Sequence, residues 1–157
     1  MLAPLLVAFV LHGPPPSLGE RRTELAKEAL NVAGRVERAI ERGDTALILS
    51  LVPKEGLSCG DRLIPKAHVA RDLTSEGTWL HRTLFGDQGA AASSSLRAFF
   101  QGAKEVVVLV GFREDPRQEA GMPCFEYESR EKKAPGAPFC LLKRDGKWWL
   151  SDCLYPC

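Results

Sequence analysis

Apolar positions in the first two thirds of the chain recur at spacings of three and four residues, the period of an amphipathic helix. The clearest stripe begins after Thr23 and comprises Leu25, Ala29, Val32, Ala33, Val36, Ala39 and Ile40. Gly43 and Asp44 follow this stripe. A glycine suits the C-terminal end of a helix and an aspartate suits an N-cap, so the pattern predicts two consecutive helices, the second ended by Pro53.

Later segments continue the helical pattern with interruptions. Residues 53–63 predict a loop or a short strand, and Pro65 opens a helix whose apolar side would hold Ala67, Ala70 and Leu73. Residues 77–86 predict a helical or irregular apolar segment. The small and polar run at 87–95 predicts an exposed loop that ends in a serine N-cap for the next helix.

From Glu105 the period changes to two, and β-branched and aromatic residues become frequent. This pattern predicts four strands, at 105–112, 123–129, 139–144 and 147–155. The segment 106–110 is apolar on both faces, which favours a central position in the sheet. Asp145 and Gly146 predict a two-residue type I′ turn, because both tolerate positive φ. Trp148 and Trp149 should then point to opposite faces.

Helices followed by an antiparallel meander predict an α+β fold, with N-terminal helices packed on a curved antiparallel β-sheet that ends in a C-terminal hairpin. A length of 157 residues fits a single domain. The formal net charge is +1, so no general electrostatic attraction to phosphate backbones exists and we predict no nucleic-acid partner.

The N-terminus resembles an export signal. Residues 2–11 are nearly all apolar, and a proline-rich stretch and the first charged residues follow. This run matches the hydrophobic region of a signal peptide and is shorter than a spanning helix of about 20 residues. We therefore predict a signal peptide at 1–19, a domain at 20–157, a periplasmic or secreted location and no stable membrane insertion after processing. A buried N-terminal segment and a retained anchor are the alternatives.

The five cysteines are interpreted first as disulfide partners, because exported proteins keep paired cysteines oxidised. At least one bridge is expected among Cys124, Cys140 and Cys153. The predicted turn puts Cys153 one diagonal step from Cys140. Cys124 would lie directly beside Cys140 if the intervening connection sets that register, and Cys153 would then remain for Cys59 or Cys157. Cys59 is the best candidate for a free thiol. The close pair Cys153 and Cys157 has no second pair or suitable histidine in a matching position, so no metal site is predicted.

Two segments carry a family resemblance that covers about residues 25–155. They are ERGDTALILSLVPKEGL at 41–57 and LLKRDGKWWLSDCLY at 141–155, and both are similar to passages of the NTF2-like (SnoaL-like, cone-shaped α+β) superfamily. The resemblance implies helices packed on a curved sheet that encloses a pocket. That superfamily includes isomerases, hydratases, transport factors and non-catalytic binding domains, so it indicates fold more than activity.

The resemblance also implies which side chains would line the pocket. They are Trp79, Phe99 and Trp148 as aromatic walls, and Asp152, Tyr127 and His81 as catalytic candidates. No nucleotide, phosphate or metalloprotease motif occurs, so no cofactor is predicted.

Two functions follow from these residues. The first is an exported, non-catalytic binding or structural module for a small apolar molecule, a peptide or a protein, with a homodimer through the sheet as a further partner that the sequence allows. The second is a small cofactor-free enzyme of the same fold, which hydrogen bonding between two of the three polar candidates would favour. The non-catalytic interpretation is preferred.

Overall fold

The computed structural model describes residues 14–87, 94–131, 133–135, 139–151 and 154–155. The predicted α+β fold is confirmed: helices form the N-terminal part, and strands form the C-terminal part. In chain order the elements are α1 (Leu18–Arg42), α2 (Thr45–Ser50), β1 (Leu57–Cys59), β2 (Arg62–Ile64), α3 (Lys66–Thr74), α4 (Trp79–Phe85), α5 (Leu96–Gly102), β3 (Val107–Asp115), β4 (Gln118–Glu128), β5 (Phe139–Arg144) and β6 (Lys147–Leu150).

Helix α1 has the predicted apolar stripe and well-defined ends. Ser17 and Glu20 form a capping box, in which each side chain accepts a hydrogen bond from the other residue's backbone N–H. Gly43 ends the helix with a φ of 70°, and Asp44 caps α2 by accepting from the Leu47 N–H. The buried residues of α1 are Ala29, Val32, Ala33, Val36, Ala39 and Ile40.

The middle of the chain departs from the prediction in two places. Residues 53–63 contain not one short strand but the start of a small antiparallel hairpin, β1–β2. On the predicted apolar side of α3, Leu73 is buried as predicted, whereas Ala67 is exposed and Ala70 is half-buried, and Val69 is buried in addition. Val69 and Leu73 are four residues apart and carry larger apolar side chains than the alanines, so they determine which face is buried.

The main sheet is an antiparallel meander in the order β3-β4-β5-β6, which places β3 at an edge. The prediction of a central strand at 106–110 was therefore wrong. Val106, Val108 and Val110 pack against the core, while Val107 and Leu109 on the other side are exposed. Apolar residues on both faces of this strand suggested that both faces are buried, but the side chains of Val107 and Leu109 on the outer face are exposed.

Pairing between β4 and β5 stops at Cys124 on the side of the C-terminal hairpin. Among the described residues, Cys124 pairs with Cys140, and Phe125 with Phe139. Before Cys124 come Pro123, which lacks an N–H, and Gly121, where φ is 83° and an added Cβ would lie 2.8 Å from the Arg113 carbonyl oxygen. Other links therefore hold the two strands together beyond this point.

Two side-chain links join β4 to β5 here. A disulfide joins Cys124 to Cys140. Further along, the Gln118 side chain accepts a hydrogen bond from the Lys143 N–H at 2.9 Å and donates one to the Gly121 carbonyl. Gln118 thus replaces the missing backbone pairing with its side chain.

The C-terminal hairpin follows the predicted register. Asp145 and Gly146 have φ values of 53° and 72°, and Arg144 pairs with Lys147. The Ser151 N–H donates to the Cys140 carbonyl at 2.9 Å. Trp148 packs against the main core, and Trp149 lies opposite Leu142, which belongs to a second cluster with Met122 and Cys140. The two tryptophans therefore serve opposite faces.

Helix α1 packs across the sheet and contacts residues distant in sequence. Arg22 donates to the Ala120 carbonyl at 2.9 Å, and Lys143 forms an ion pair with Glu28. These contacts fix the inner face of the sheet against the helices. Among the described residues, no helix is long and apolar enough to cross a membrane.

Candidate functional site

Strand β3 sends alternate side chains to the two faces of the sheet. Those on the inner face are held by the core, and the ring of Phe112 lies 5.2 Å from the guanidinium carbon of Arg22. Those on the outer face are open to solvent: Val107 is 53% exposed and Leu109 is 42% exposed. The inner contacts thus force two neighbouring apolar side chains outward on an edge strand.

A groove of about 400 Å³ adjoins these side chains. It forms because Gly111 has no side chain, and a Cβ added there would meet no atom within 4 Å. The β4 residues that lie opposite are Glu126, beside Leu109, and Cys124, beside Gly111. We call Val107, Leu109, Gly111, Cys124 and Glu126 the β3 surface.

Charged side chains flank the β3 surface. Glu105 lies before the strand and forms an ion pair with Arg130 at 2.8 Å. Arg113 follows the groove, and the pairing of β3 with β4 shifts between Arg113 and Asp115. The site is therefore an apolar centre with an acid at one end and a base at the other.

Described residues also line two other cavities, and neither contains the predicted pocket residues. One, of about 480 Å³, lies beside the Glu105–Arg130 ion pair and is lined by Gly102, Ala103, Lys104, Glu105, Ser129, Arg130 and Glu131. The other, of about 380 Å³, lies between α2 and α3 and is lined by Thr45, Ala46, Leu49, Ala70, Arg71, Leu73 and Thr74.

Of the polar catalytic candidates, the two that the structure describes, His81 and Tyr127, share no hydrogen bond. Nδ1 of His81 lies 3.2 Å from Oδ1 of Asp87, and the same oxygen accepts from the Gly77 N–H, so His81 helps to link the two ends of α4. Among the described residues, the buried Tyr127 hydroxyl has no hydrogen-bond partner. Asp152 lies outside the described residues.

The environment of Tyr127 keeps its hydroxyl neutral. The residue is 5% exposed, and its ring packs edge-on against Phe100 and stacks on Phe139. Burial raises the pKa of Tyr127, and the nearby Glu37 carboxylate raises it further. Burial, followed by repulsion from Glu41, also raises the pKa of Glu37. Tyr127 could therefore donate a proton in a hydrogen bond but would not act as a base at neutral pH.

The three aromatic candidates belong to the main core or pack against it. Phe99 is 1% exposed. Trp79 is half-buried and stacks on Tyr155 with ring centroids 6.3 Å apart. Trp148 is half-buried beneath the ammonium group of Lys143. All three contact the main core, and their role as pocket walls stays a prediction.

The cysteines differ from the prediction at one position. The expected bridge among Cys124, Cys140 and Cys153 is formed by the first two, which lie directly opposite each other. Cys59 is disulfide-bonded, so its assignment as a free thiol was wrong. Its partner lies outside the described residues, as do Cys153 and Cys157. Within the described ranges, no three His, Cys, Asp or Glu side chains gather as a metal site.

Comparisons with protein-family models, with curated proteins and with solved structures give no match to this chain. The site must therefore be interpreted from its own geometry.

Sequence reasoning missed the β3 surface because it treated residues 106–110 as buried on both faces. One signal was present: this strand is the first of a meander, and the first strand of a meander has only one neighbour from the meander itself. The single glycine inside the apolar run, Gly111, was a second signal, because a strand glycine often marks the close approach of another group.

Proposed function

We propose that the protein is an exported, non-catalytic α+β binding domain that takes an extended protein segment at the β3 surface and the adjacent free edge of β3. The observation that carries this proposal is the position of Val107 and Leu109, which are exposed side by side on an edge strand next to the Gly111 groove. Edge strands of soluble proteins are normally protected by charges, prolines or covering elements. On the outer face at the centre of β3, Val107 and Leu109 are exposed, and the strands that the structure describes place no further strand beside them.

The chemistry of the edge supports an extended segment as the partner. An edge strand presents a row of backbone N–H and C=O groups, and an added strand satisfies them while its alternate side chains enter neighbouring pockets. Here the pocket is the groove over Gly111, and the apolar contacts are Val107 and Leu109. A small charged molecule would find neither a buried charge nor a deep cavity at this site.

Export is supported by the cysteines and by the N-terminal sequence. The Cys124–Cys140 disulfide and the oxidised state of Cys59 suit an oxidising compartment. The apolar run at 2–11 matches a signal peptide in length. An NTF2-like fold remains part of the proposal, and the order of helices followed by an antiparallel meander is compatible with it.

The enzyme alternative receives no support from the described candidates. His81 is engaged with Asp87, whereas the ring of Tyr127 packs against Phe100 and Phe139 and its hydroxyl is buried. The two side chains therefore do not act on a common proton.

Site-specific photo-crosslinking tests the proposed function. A photoreactive phenylalanine analogue replaces Leu109 in the full chain expressed in an exporting host, and Leu63 of β2, which is 54% exposed, serves as the matched control position. We expect a covalent protein adduct from position 109, none from position 63, and loss of the adduct when Val107→Lys is added. Absence of an adduct at position 109 would overturn the proposal.

A further inference from the structure

We propose that the partner at the β3 surface is a second copy of this chain, with the two β3 strands paired antiparallel and the two-fold axis passing through Leu109. This inference rests on the proposed function and names its partner. The result is one continuous eight-stranded sheet built from two four-stranded sheets. Three independent features of β3 support this pairing.

The first feature is the charge pattern. In an antiparallel pair centred on Leu109, residues equally far from the centre in opposite directions face each other. Glu105 then faces Arg113 of the second copy, and the same contact forms again on the other side of the axis. One residue further out, Lys104 and Glu114 also carry opposite charges. Opposite charges directly across two strands stabilise their pairing.

The second feature is the match between a protruding and a missing side chain. In this register Val107 faces Gly111 of the second copy. Val107 is the most exposed apolar side chain of the strand, and Gly111 leaves the groove. Each copy thus supplies one side chain and one groove, as a two-fold interface requires. Leu109 meets its own counterpart between these two contacts.

The third feature is the extent of regular pairing. Residues 107–113 of β3 pair with β4 without interruption, and the register shifts only beyond Arg113. The segment from Val107 to Arg113 therefore lies in the regular part of the strand, and Glu105 lies two residues before it. Glu105 also contacts Arg130, but both side chains are largely exposed, so this ion pair contributes little and does not prevent a second contact.

Neighbouring registers lack these matches. A pair centred on Val110 places Glu105 against Asp115, two like charges, and Val107 against Arg113. A pair centred on Val108 places Glu105 against Gly111 and Arg113 against Ala103, so no opposite charges meet. Because directly opposed residues share a face, each shift also changes which apolar side chains are in contact.

Engineered cysteines test the register in the purified, folded full chain. Leu109→Cys should crosslink to a dimer under mild oxidation, because the two copies of position 109 face each other. Val107→Cys is the matched control, because the two copies of position 107 lie about 13 Å apart across the axis. This variant should therefore run as a monomer in a denaturing, non-reducing gel. A mixture of Val107→Cys and Gly111→Cys chains should crosslink. Equal crosslinking at 107 and 109, or none at 109, would overturn the register.

A charge exchange tests the affinity. Arg113→Glu should weaken the dimer at least tenfold in sedimentation equilibrium, and Glu105→Arg should do the same. The double variant should return to within about threefold of the wild type, while Arg62→Glu on β2 should change nothing. Thermal melts identify any single variant that fails to fold. The double variant then carries the test, because it can regain the dimer affinity of the wild type only if it folds. A wild-type monomer at millimolar concentration, or no restoration, would overturn the inference.

The two proposals fail in different ways. An adduct from position 109 with a mass of two chains supports both. An adduct with a different protein, together with a monomer in sedimentation, retains the binding domain and overturns the second copy. No adduct of either kind overturns the binding site itself.

Discussion

Tyr127 is a buried residue whose hydroxyl lacks a hydrogen bond from the described part of the chain. A buried hydroxyl without a partner lowers stability, because it has lost its hydrogen bonds to water. We expect Tyr127→Phe to leave the free energy of unfolding unchanged or to raise it by about 1 kcal/mol. Urea unfolding measures this difference. A loss above about 1 kcal/mol would show that the hydroxyl bonds to a group in the folded protein.

Glu37 makes stability depend on pH in the opposite direction from most carboxylates. Burial and the nearby Glu41 raise its pKa in the folded state above the ordinary value of 4.5. The folded state therefore binds the proton of Glu37 more tightly than the unfolded state does. The resulting contribution of Glu37 to the free energy of unfolding is fully present below pH 4.5 and is lost as pH rises through the folded-state pKa.

The variant Glu37→Gln should not lose stability as pH rises, because its side chain cannot ionise. We expect the variant to be more stable than the wild type at pH 7, by less than about 1 kcal/mol, and to show no gain at pH 4. Arg35→Gln on the exposed side of α1 is the control and should show no such pH dependence. A gain of the same size at both pH values would contradict the proposed cause.

At the scale of elements, the junction of β4 and β5 depends on Gln118. Its side chain occupies the Lys143 N–H, which β4 itself does not reach. Gln118→Ala should cost about 1 to 2 kcal/mol, because it leaves that donor and the Gly121 carbonyl without their partner. The neighbouring Glu119→Ala breaks only an exposed ion pair with Arg21 and should cost less than about 0.5 kcal/mol. Equal losses in chemical denaturation would contradict the bridging role.

The disulfide is the second link at this junction. It closes a loop between residues 16 positions apart. Replacing both Cys124 and Cys140 by Ala should lower the free energy of unfolding by about 3 kcal/mol, mainly because the unfolded chain gains freedom. Denaturation of the alanine variant without reductant isolates this bridge from that of Cys59. An unchanged denaturation midpoint would mean that the other contacts of β5 hold it in place without the disulfide.

Local signals gave most of the elements correctly, but neighbours between elements were harder to predict. The helix ends at Gly43 and Asp44 and the turn at Asp145 and Gly146 depend on local backbone chemistry, and the structure has both as predicted. The edge position of β3 depends on which strand lies beside it. Periodicity cannot show that, because an apolar side chain has the same sequence signature whether it is covered or exposed.

The candidate site was harder still to predict. The aromatic and polar candidates were chosen for chemical type, and local contacts in the structure already engage two of them: His81 links the ends of α4, and Phe99 is buried in the core. The β3 surface contains valine, leucine and glycine, which no catalytic motif identifies. Its recognition needs the exposure of each side chain.

At the scale of the whole molecule, the start of α1 at Leu18 moves the expected cleavage of the proposed leader to an earlier position than the boundary after residue 19 that the sequence suggested. The Ser17 side chain accepts a hydrogen bond from the Glu20 N–H, and the Ser17 N–H donates one to the Glu20 carboxylate. A processed chain that retains Ser17 keeps this capping box, which typically contributes about 1 kcal/mol. We therefore expect mass spectrometry of the exported protein to find an N-terminus at or before Ser17. A chain that begins at Glu20 would contradict this expectation.

The contacts of α1 also determine when the molecule can fold. Arg22 meets Ala120, 98 residues later, and Glu28 meets Lys143, 115 residues later. The apolar stripe of α1 therefore has no sheet to pack on until almost the entire chain has been synthesised, and loops of this length close slowly. The fold therefore cannot be completed before the last hairpin is available, so under the proposed export the chain would cross the membrane before it folds.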